Sequence, residues 1–203
     1  MTPAEIFYAQ RYLHLKDVLS KELCHYLTHL LIKAPELNYG KEFGTDSQVS
    51  TAKSVLDHEI VFETLLEKIW PDVEDVIGEE VLPTYSYARL YSNGDELKPH
   101  IDRPACEISM TIQLGRSHHY AWPIYMGGNR IDMGEGDGVL YFGRSIEHWR
   151  NVCDGPEGYY SGQVFLHYVK KQGEFSSEAG DIKNRNLDKI CFVKNRVHLM
   201  DSK

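Results

Sequence analysis

Three side chains in this sequence have the types and spacing to hold one metal ion. His100 and Asp102 stand in Pro99-His100-Ile101-Asp102, and His148 stands in Glu147-His148-Trp149-Arg150. Residues two apart on an extended strand project from the same face. The first imidazole and the carboxylate would therefore share a side, and a second imidazole from a remote strand would complete a set of two histidines and one carboxylate. Such a set takes up one face of an iron centre and leaves the opposite face to exchangeable ligands. A His-x-Asp pair alone is a weak signal, because two common polar residues fall two apart in many chains. Its neighbours are what strengthen it.

Those neighbours are strands and turns in a definite order. Tyr91-Ser92-Asn93-Gly94 reads as a strand entering a turn that returns the chain to His100. Gly134-Glu135-Gly136-Asp137-Gly138 is a turn cluster that launches Val139-Leu140-Tyr141-Phe142, and His148 follows on the next strand. Upstream, Tyr85, Tyr87, Arg89 and Tyr91 alternate on one face. A buried Arg89 needs an anion, either an organic dicarboxylate or a structural acid such as Glu107. Downstream, Ser109, Thr111 and Gln113 share one face, the mark of a wet or ligand-lined interior. Arg150 lies two residues past His148 and so joins it on the inner face, and on the last strand, 162–169, Gln163 and His167 point inward by parity.

The order of strand, turn, His-x-Asp, several strands, Gly-Asp-Gly, strand and His resembles that of the Fe(II)/2-oxoglutarate dioxygenases, in particular their prolyl-4-hydroxylase-like branch. The resemblance spans roughly residues 82–170. It implies a mostly β fold, a double-stranded β-helix (jelly-roll, cupin-like) barrel with N-terminal helices packed on one sheet. It also implies His100, Asp102 and His148 as iron ligands, and Tyr91 as a hydrogen-bond donor to the cosubstrate. The cofactors implied are Fe(II), 2-oxoglutarate and O2, with ascorbate as an auxiliary reductant within the family's range. One departure stands out: where the family carries a basic residue on the last strand for the far carboxylate of 2-oxoglutarate, this chain has Gln163. Arg150 on the neighbouring strand is expected to supply that charge, with Arg89 as the second choice and Gln163, Gln113 and Thr111 as polar lining. The activity implied is hydroxylation of a substrate, either a small molecule or a protein or peptide side chain such as proline, with 2-oxoglutarate decarboxylated to succinate. Two other readings use the same barrel, a non-oxidative cupin-like metal enzyme and a degenerate binding barrel.

The remaining chain must support such a barrel. Apolar residues at helical spacing predict a helix over 15–34, stopped by Pro35, and a second over 56–70, interrupted by Pro71 before 73–77 resumes. Residues 1–14 read as an edge strand or as packing against the barrel, and 36–53 as a long loop with a lid among its readings. Residues 171–186 read as a polar segment that leaves the barrel, within an extension running to 203. At 203 residues the chain is expected to form a single domain. Its net charge of −8 argues against a nucleic-acid partner. Four cysteines without paired short spacing and no apolar run of membrane length predict reduced thiols, a cytoplasmic setting and no membrane partner.

Overall fold

The computed structural model describes residues 1–39, 46–49 and 51–181. Two antiparallel sheets face each other. The larger contains β1 (Tyr12–Leu15), β2 (Ser54–Asp57), β3 (Val81–Ser92), β5 (Ile108–Arg116), β8 (Gly138–Tyr141) and β10 (Tyr160–Lys170) in the order β1-β8-β5-β10-β3-β2. The smaller contains β4 (Leu97–His100), β6 (Ile124–Met126), β7 (Asn129–Ile131) and β9 (His148–Arg150) in the order β4-β9-β6-β7. From β3 onward the chain passes back and forth between the sheets, which is the winding of a jelly roll. The expected double-stranded β-helix is the observed fold.

Strand alternation decides what faces what. On β5 and β10 the even-numbered residues Ile108, Met110, Ile112, Leu114, Val164, Leu166 and Tyr168 are buried in one apolar cluster with Leu27, Leu31, Phe62, Leu66, Ile69 and Val73. Those partners lie on α2 (Lys21–Glu36) and α3 (Ile60–Ile77), so the helices cover the outer face of the large sheet. Each such side chain contributes about 1.5–3 kcal/mol by leaving water. The odd-numbered residues Ser109, Thr111, Gln113, Gln163 and His167 turn to the space between the sheets and are buried there. The polar interior is therefore bounded by an apolar exterior. Two smaller apolar clusters join the sheets across it, one around Ile124, Met126 and Tyr141 and the other around Leu97, Trp122 and Phe165.

Several boundaries differ from the sequence reading. Residues 3–10 form a helix, α1 (Pro3–Gln10), capped by Thr2, and only β1 behind it is an edge strand. The first long helix starts at Lys21, not 15, because Ser20 caps it by accepting from the Leu23 amide, and Pro35 sits within its last turn. Leu56 belongs to β2, and α3 runs without a break through Pro71. The lost amide donor and the ring clash together cost about 3 kcal/mol, but Ile69, Val73 and Ile77 keep one buried stripe across the proline. Residues 171–181 do not leave the barrel, since Asp181 is fully buried and accepts two hydrogen bonds from Arg103, at 2.9 and 2.7 Å. Residues 182–203, and 40–45 and 50 of the expected loop, lie outside the described residues. No helix among the described residues is long and apolar enough to cross a membrane.

The turn that precedes β8 is tied to the N-terminal segment through Asp137. Its carboxylate accepts from the Lys16 ammonium at 2.7 Å and from the Gly134 amide at 2.7 Å. Burial opposes the charged form, yet these partners outweigh it and hold the carboxyl below its ordinary value of 3.8. A depressed folded pKa means stabilisation that is complete above 3.8 and is lost as pH falls through the folded value. Asp137→Asn is expected to cost about 1–3 kcal/mol at neutral pH, with the deficit shrinking as pH drops below 3.8. Urea melts of both proteins at pH 7 and in acid measure this, and a deficit independent of pH would contradict it.

Candidate metal centre

The small sheet sets the two histidines opposite each other. His100 closes β4 and His148 opens β9, and the two are directly paired in the antiparallel register, with ring centroids 4.3 Å apart. In each, Nδ1 lies within hydrogen-bond distance of the carbonyl two residues back, Lys98 at 2.8 Å and Ile146 at 3.1 Å. A ring that donates from Nδ1 keeps its Nε2 lone pair for another partner, the tautomer a metal requires.

Asp102 arrives differently from the sequence reading. The strand ends at His100, so extended alternation does not carry the carboxylate to the same face. Instead the backbone of residue 102 is clamped by the loop after β8: its amide donates to the Gly143 carbonyl at 2.8 Å, and its carbonyl accepts from Arg144 Nη1 at 2.9 Å. Asp102 Oδ1 then stands 3.6 Å from His100 Nε2 and 3.5 Å from His148 Nε2. These gaps are longer than good hydrogen bonds, while cis ligands about 2.1 Å from one metal lie roughly 3 Å apart. A small contraction around a cation would close them. Burial acts to raise the Asp102 pKa, but the imidazoles of His100 and His148 outweigh it and keep the carboxyl well below the ordinary range.

The other carboxylate oxygen is held from behind. Ser109 Oγ donates to Asp102 Oδ2 at 3.1 Å and lies 2.9 Å from His167 Nδ1. Burial takes the His167 pKa down to about 4, so this imidazole is neutral at pH 7. A second potential ligand set, Asp102, Cys106 and His167, shares the same carboxylate. Cys24, Cys106 and Cys153 are free, buried thiols.

Gly143 escaped the sequence reading, although Phe142-Gly143 directly after a strand was a signal of close approach. A Cβ there would overlap Asp102 Oδ2 and the Cys106 carbonyl, and would lie 2.9 Å from Ser109 Oγ. Gly143→Ala should therefore push the carboxylate off its position. Metal affinity is expected to fall about 10- to 100-fold, the range for disturbing a ligand's supporting contacts. Anaerobic Mn(II) titration measures this, and an unchanged affinity would contradict the clamp.

The three residues line one wall of a cavity of about 530 Å³ that also meets Arg89, Tyr85, Tyr87 and Phe165. Arg89 is almost fully buried, and its partner is not Glu107. Its Nε donates to Asp46 Oδ2 at 2.7 Å, its Nη1 to the Tyr91 hydroxyl at 2.7 Å and its Nη2 to Gln48 Oε1 at 3.0 Å. Sequence reasoning missed Asp46 because it lies in a loop with no pattern to mark it. Tyr91, Arg150, Gln163, Gln113 and Thr111 are all buried between the sheets, outside the cavity lining. Gln163 Oε1 accepts from Thr111 at 3.2 Å, and the Gln113 amide nitrogen donates to Ser161 at 3.0 Å.

Arg150 is the exception within this polar zone. It is 1% exposed, its Nη1 donates to the Trp122 carbonyl at 2.5 Å, and its Nη2 has no hydrogen-bond partner. No carboxylate among the described residues forms an ion pair with it. Burial pulls its pKa down, against nearby Tyr91, Tyr159, Cys153 and Tyr141, a set of hydroxyls and a thiol with no carboxylate in it.

The same framework occurs in solved oxygenases. A Pseudomonas putida prolyl-4-hydroxylase superposes with a TM-score of 0.60 at 11% identity, covering 84% of this chain and 97% of that one. The non-heme alpha-ketoglutarate-dependent epimerase SnoN from nogalamycin biosynthesis gives 0.64 at 12% identity, over 82% and 81%. The fold is that of the 2-oxoglutarate/Fe(II) oxygenases. EctD from S. alaskensis with 2-oxoglutarate and 5-hydroxyectoine extends the likeness to this oxygenase fold, at 0.63 and 15% identity over 83% and 77%. No protein-family model and no curated protein matches the sequence.

Proposed function

We propose that this chain is an Fe(II)/2-oxoglutarate-dependent oxygenase. His100, Asp102 and His148 hold the metal, and Arg150 anchors the far carboxylate of 2-oxoglutarate. The observation that carries the reading is the Arg150 guanidinium, buried with an unused nitrogen and no anionic partner among the described residues. A buried cation left in that state is costly, and a carboxylate ligand removes the cost with charge-assisted hydrogen bonds. A non-oxidative metal enzyme on the same barrel has no need of it. His148 and Arg150 share one face of β9, with α-carbons about 6.6–7 Å apart, a span on the scale of a five-carbon diacid. Reaching Arg150 from the metal means passing Leu97, its cross-strand partner and part of the cavity wall.

Arg89, the rival anchor, is already neutralised by Asp46. The buried hydroxyl and amide groups of Tyr91, Thr111, Gln113 and Gln163 make the interior between the two sheets polar enough for a diacid. Bound Fe(II) with 2-oxoglutarate would supply oxidation of a substrate by O2, with the cosubstrate converted to succinate and CO2. The protein's own part is to fix the ligands, neutralise the diacid and screen the reacting atoms from water with the aromatic wall of Tyr85, Tyr87 and Phe165. The finer reading is hydroxylation of a protein or peptide side chain such as proline, which the prolyl-4-hydroxylase among the fold neighbours supports.

The test is oxygen- and Fe(II)-dependent conversion of 2-oxoglutarate to succinate, followed by mass spectrometry of candidate peptides for the gain of one oxygen atom. Succinate formation that needs neither metal nor oxygen would reject the class. Turnover with no modified peptide would reject the side-chain substrate.

A further inference from the structure

Arg89 is fixed by hydrogen bonds to Asp46, Tyr91 and Gln48, and what it fixes in return is residues 46–49. Asp46 Oδ2 takes the Arg89 Nε bond and one from the Tyr87 hydroxyl at 2.8 Å, while its Oδ1 accepts the amides of Gln48 and Val49 at 2.8 and 3.1 Å. Val49 is buried in the cluster with Val55, Tyr91 and Leu97. The segment therefore has little freedom, and the Gln48 side chain is oriented as well as placed. Its Oε1 is held by Arg89 Nη2 at 3.0 Å, which leaves the amide nitrogen pointing the other way, 3.2 Å from His100 Nε2.

That nitrogen is the one His100 offers to a metal, because its Nδ1 donates to the Lys98 carbonyl. Once a metal takes the lone pair, Gln48 Nε2 loses its acceptor but keeps its place. A donor about 3 Å from a ligand atom borders the coordination sphere itself, so its next acceptor is an atom bound to the metal, not a substrate atom farther out. A carboxylate oxygen is the strongest acceptor that site takes under the proposed function. We infer that Gln48 is a positioning residue, held by an Asp46–Arg89 clasp, that donates a hydrogen bond to the metal-bound carboxylate of 2-oxoglutarate. The inference rests on the oxygenase reading above.

The experiment is anaerobic titration of 2-oxoglutarate into metal-loaded protein, with Mn(II) affinity measured separately, for wild type, Gln48→Leu and Gln48→Met. Methionine keeps the length of the side chain and adds no charge but cannot donate, so a purely structural role predicts near-normal binding for Gln48→Met. The inference predicts that both variants keep Mn(II) affinity within about threefold while 2-oxoglutarate affinity drops roughly 10- to 100-fold, the weight of a hydrogen bond to a charged group. Asp46→Ala should lower 2-oxoglutarate affinity too, and less than additively with Gln48→Leu. Wild-type cosubstrate affinity in Gln48→Met, or a loss of Mn(II) affinity as large as the loss of cosubstrate affinity, overturns the role of Gln48 alone. Metal-loaded wild type that fails to bind 2-oxoglutarate overturns the oxygenase reading and this inference with it.

Discussion

Asp102→Asn should lose metal binding almost completely. The substitution keeps the shape of the side chain and its contact with Ser109 Oγ, which lies 3.1 Å from Oδ2, while removing the one anionic ligand of the set. The expected loss exceeds about 100-fold, more than the disturbance of a supporting contact costs. Mn(II) at a hundredfold excess over its dissociation constant stabilises a protein by about 2.7 kcal/mol. An anaerobic thermal melt therefore shows a clear upward shift for wild type and little or no shift for the variant. An equal shift in both would mean that the cation binds somewhere other than between His100, Asp102 and His148.

Arg150→Ala is the second large effect, and it falls on the cosubstrate rather than the metal. Removing the guanidinium takes away a charge-assisted contact worth about 1.5–3 kcal/mol, which is roughly a 10- to 150-fold loss of 2-oxoglutarate affinity. The variant also relieves a buried cation whose Nη2 is unpaired. It should therefore be no less stable than wild type without cosubstrate, apart from the lost packing on Trp122 and the lost hydrogen bond to its carbonyl. Calorimetric titration with the metal in place measures the affinity, and melts without cosubstrate measure the stability. Unchanged 2-oxoglutarate affinity would remove Arg150 from the site.

The barrel was legible through the resemblance carried by the order of its strands and turns, and the facing of its side chains through local alternation. Alternation along residues 108–114 and 162–169 assigns each side chain to a face without reference to distant contacts, and the helices covering the large sheet follow from spacing alone. The two histidines were legible because they fall at fixed places in an ordered run of strands and turns, not because their spacing is rare. Asp102 was found for an incomplete reason: strand alternation pointed to it, but the Gly143 carbonyl and Arg144 are what bring it in. Gly143, Asp46 and Gln48 were not legible, since each acts through a partner remote in sequence. Pro71 misled in the opposite direction, because a buried stripe on both sides of a proline outweighs one lost amide bond.

The central claim is that one metal face and one buried guanidinium act on the same diacid. Its most direct test is an anaerobic titration of the Fe(II)-loaded protein with 2-oxoglutarate and, in parallel, with pyruvate, which shares the keto-carboxylate end but lacks the far carboxylate. The account predicts a single metal-dependent site that prefers 2-oxoglutarate by at least about tenfold in wild type, with the preference abolished in Arg150→Ala. Equal affinity for the two keto acids in wild type would contradict it.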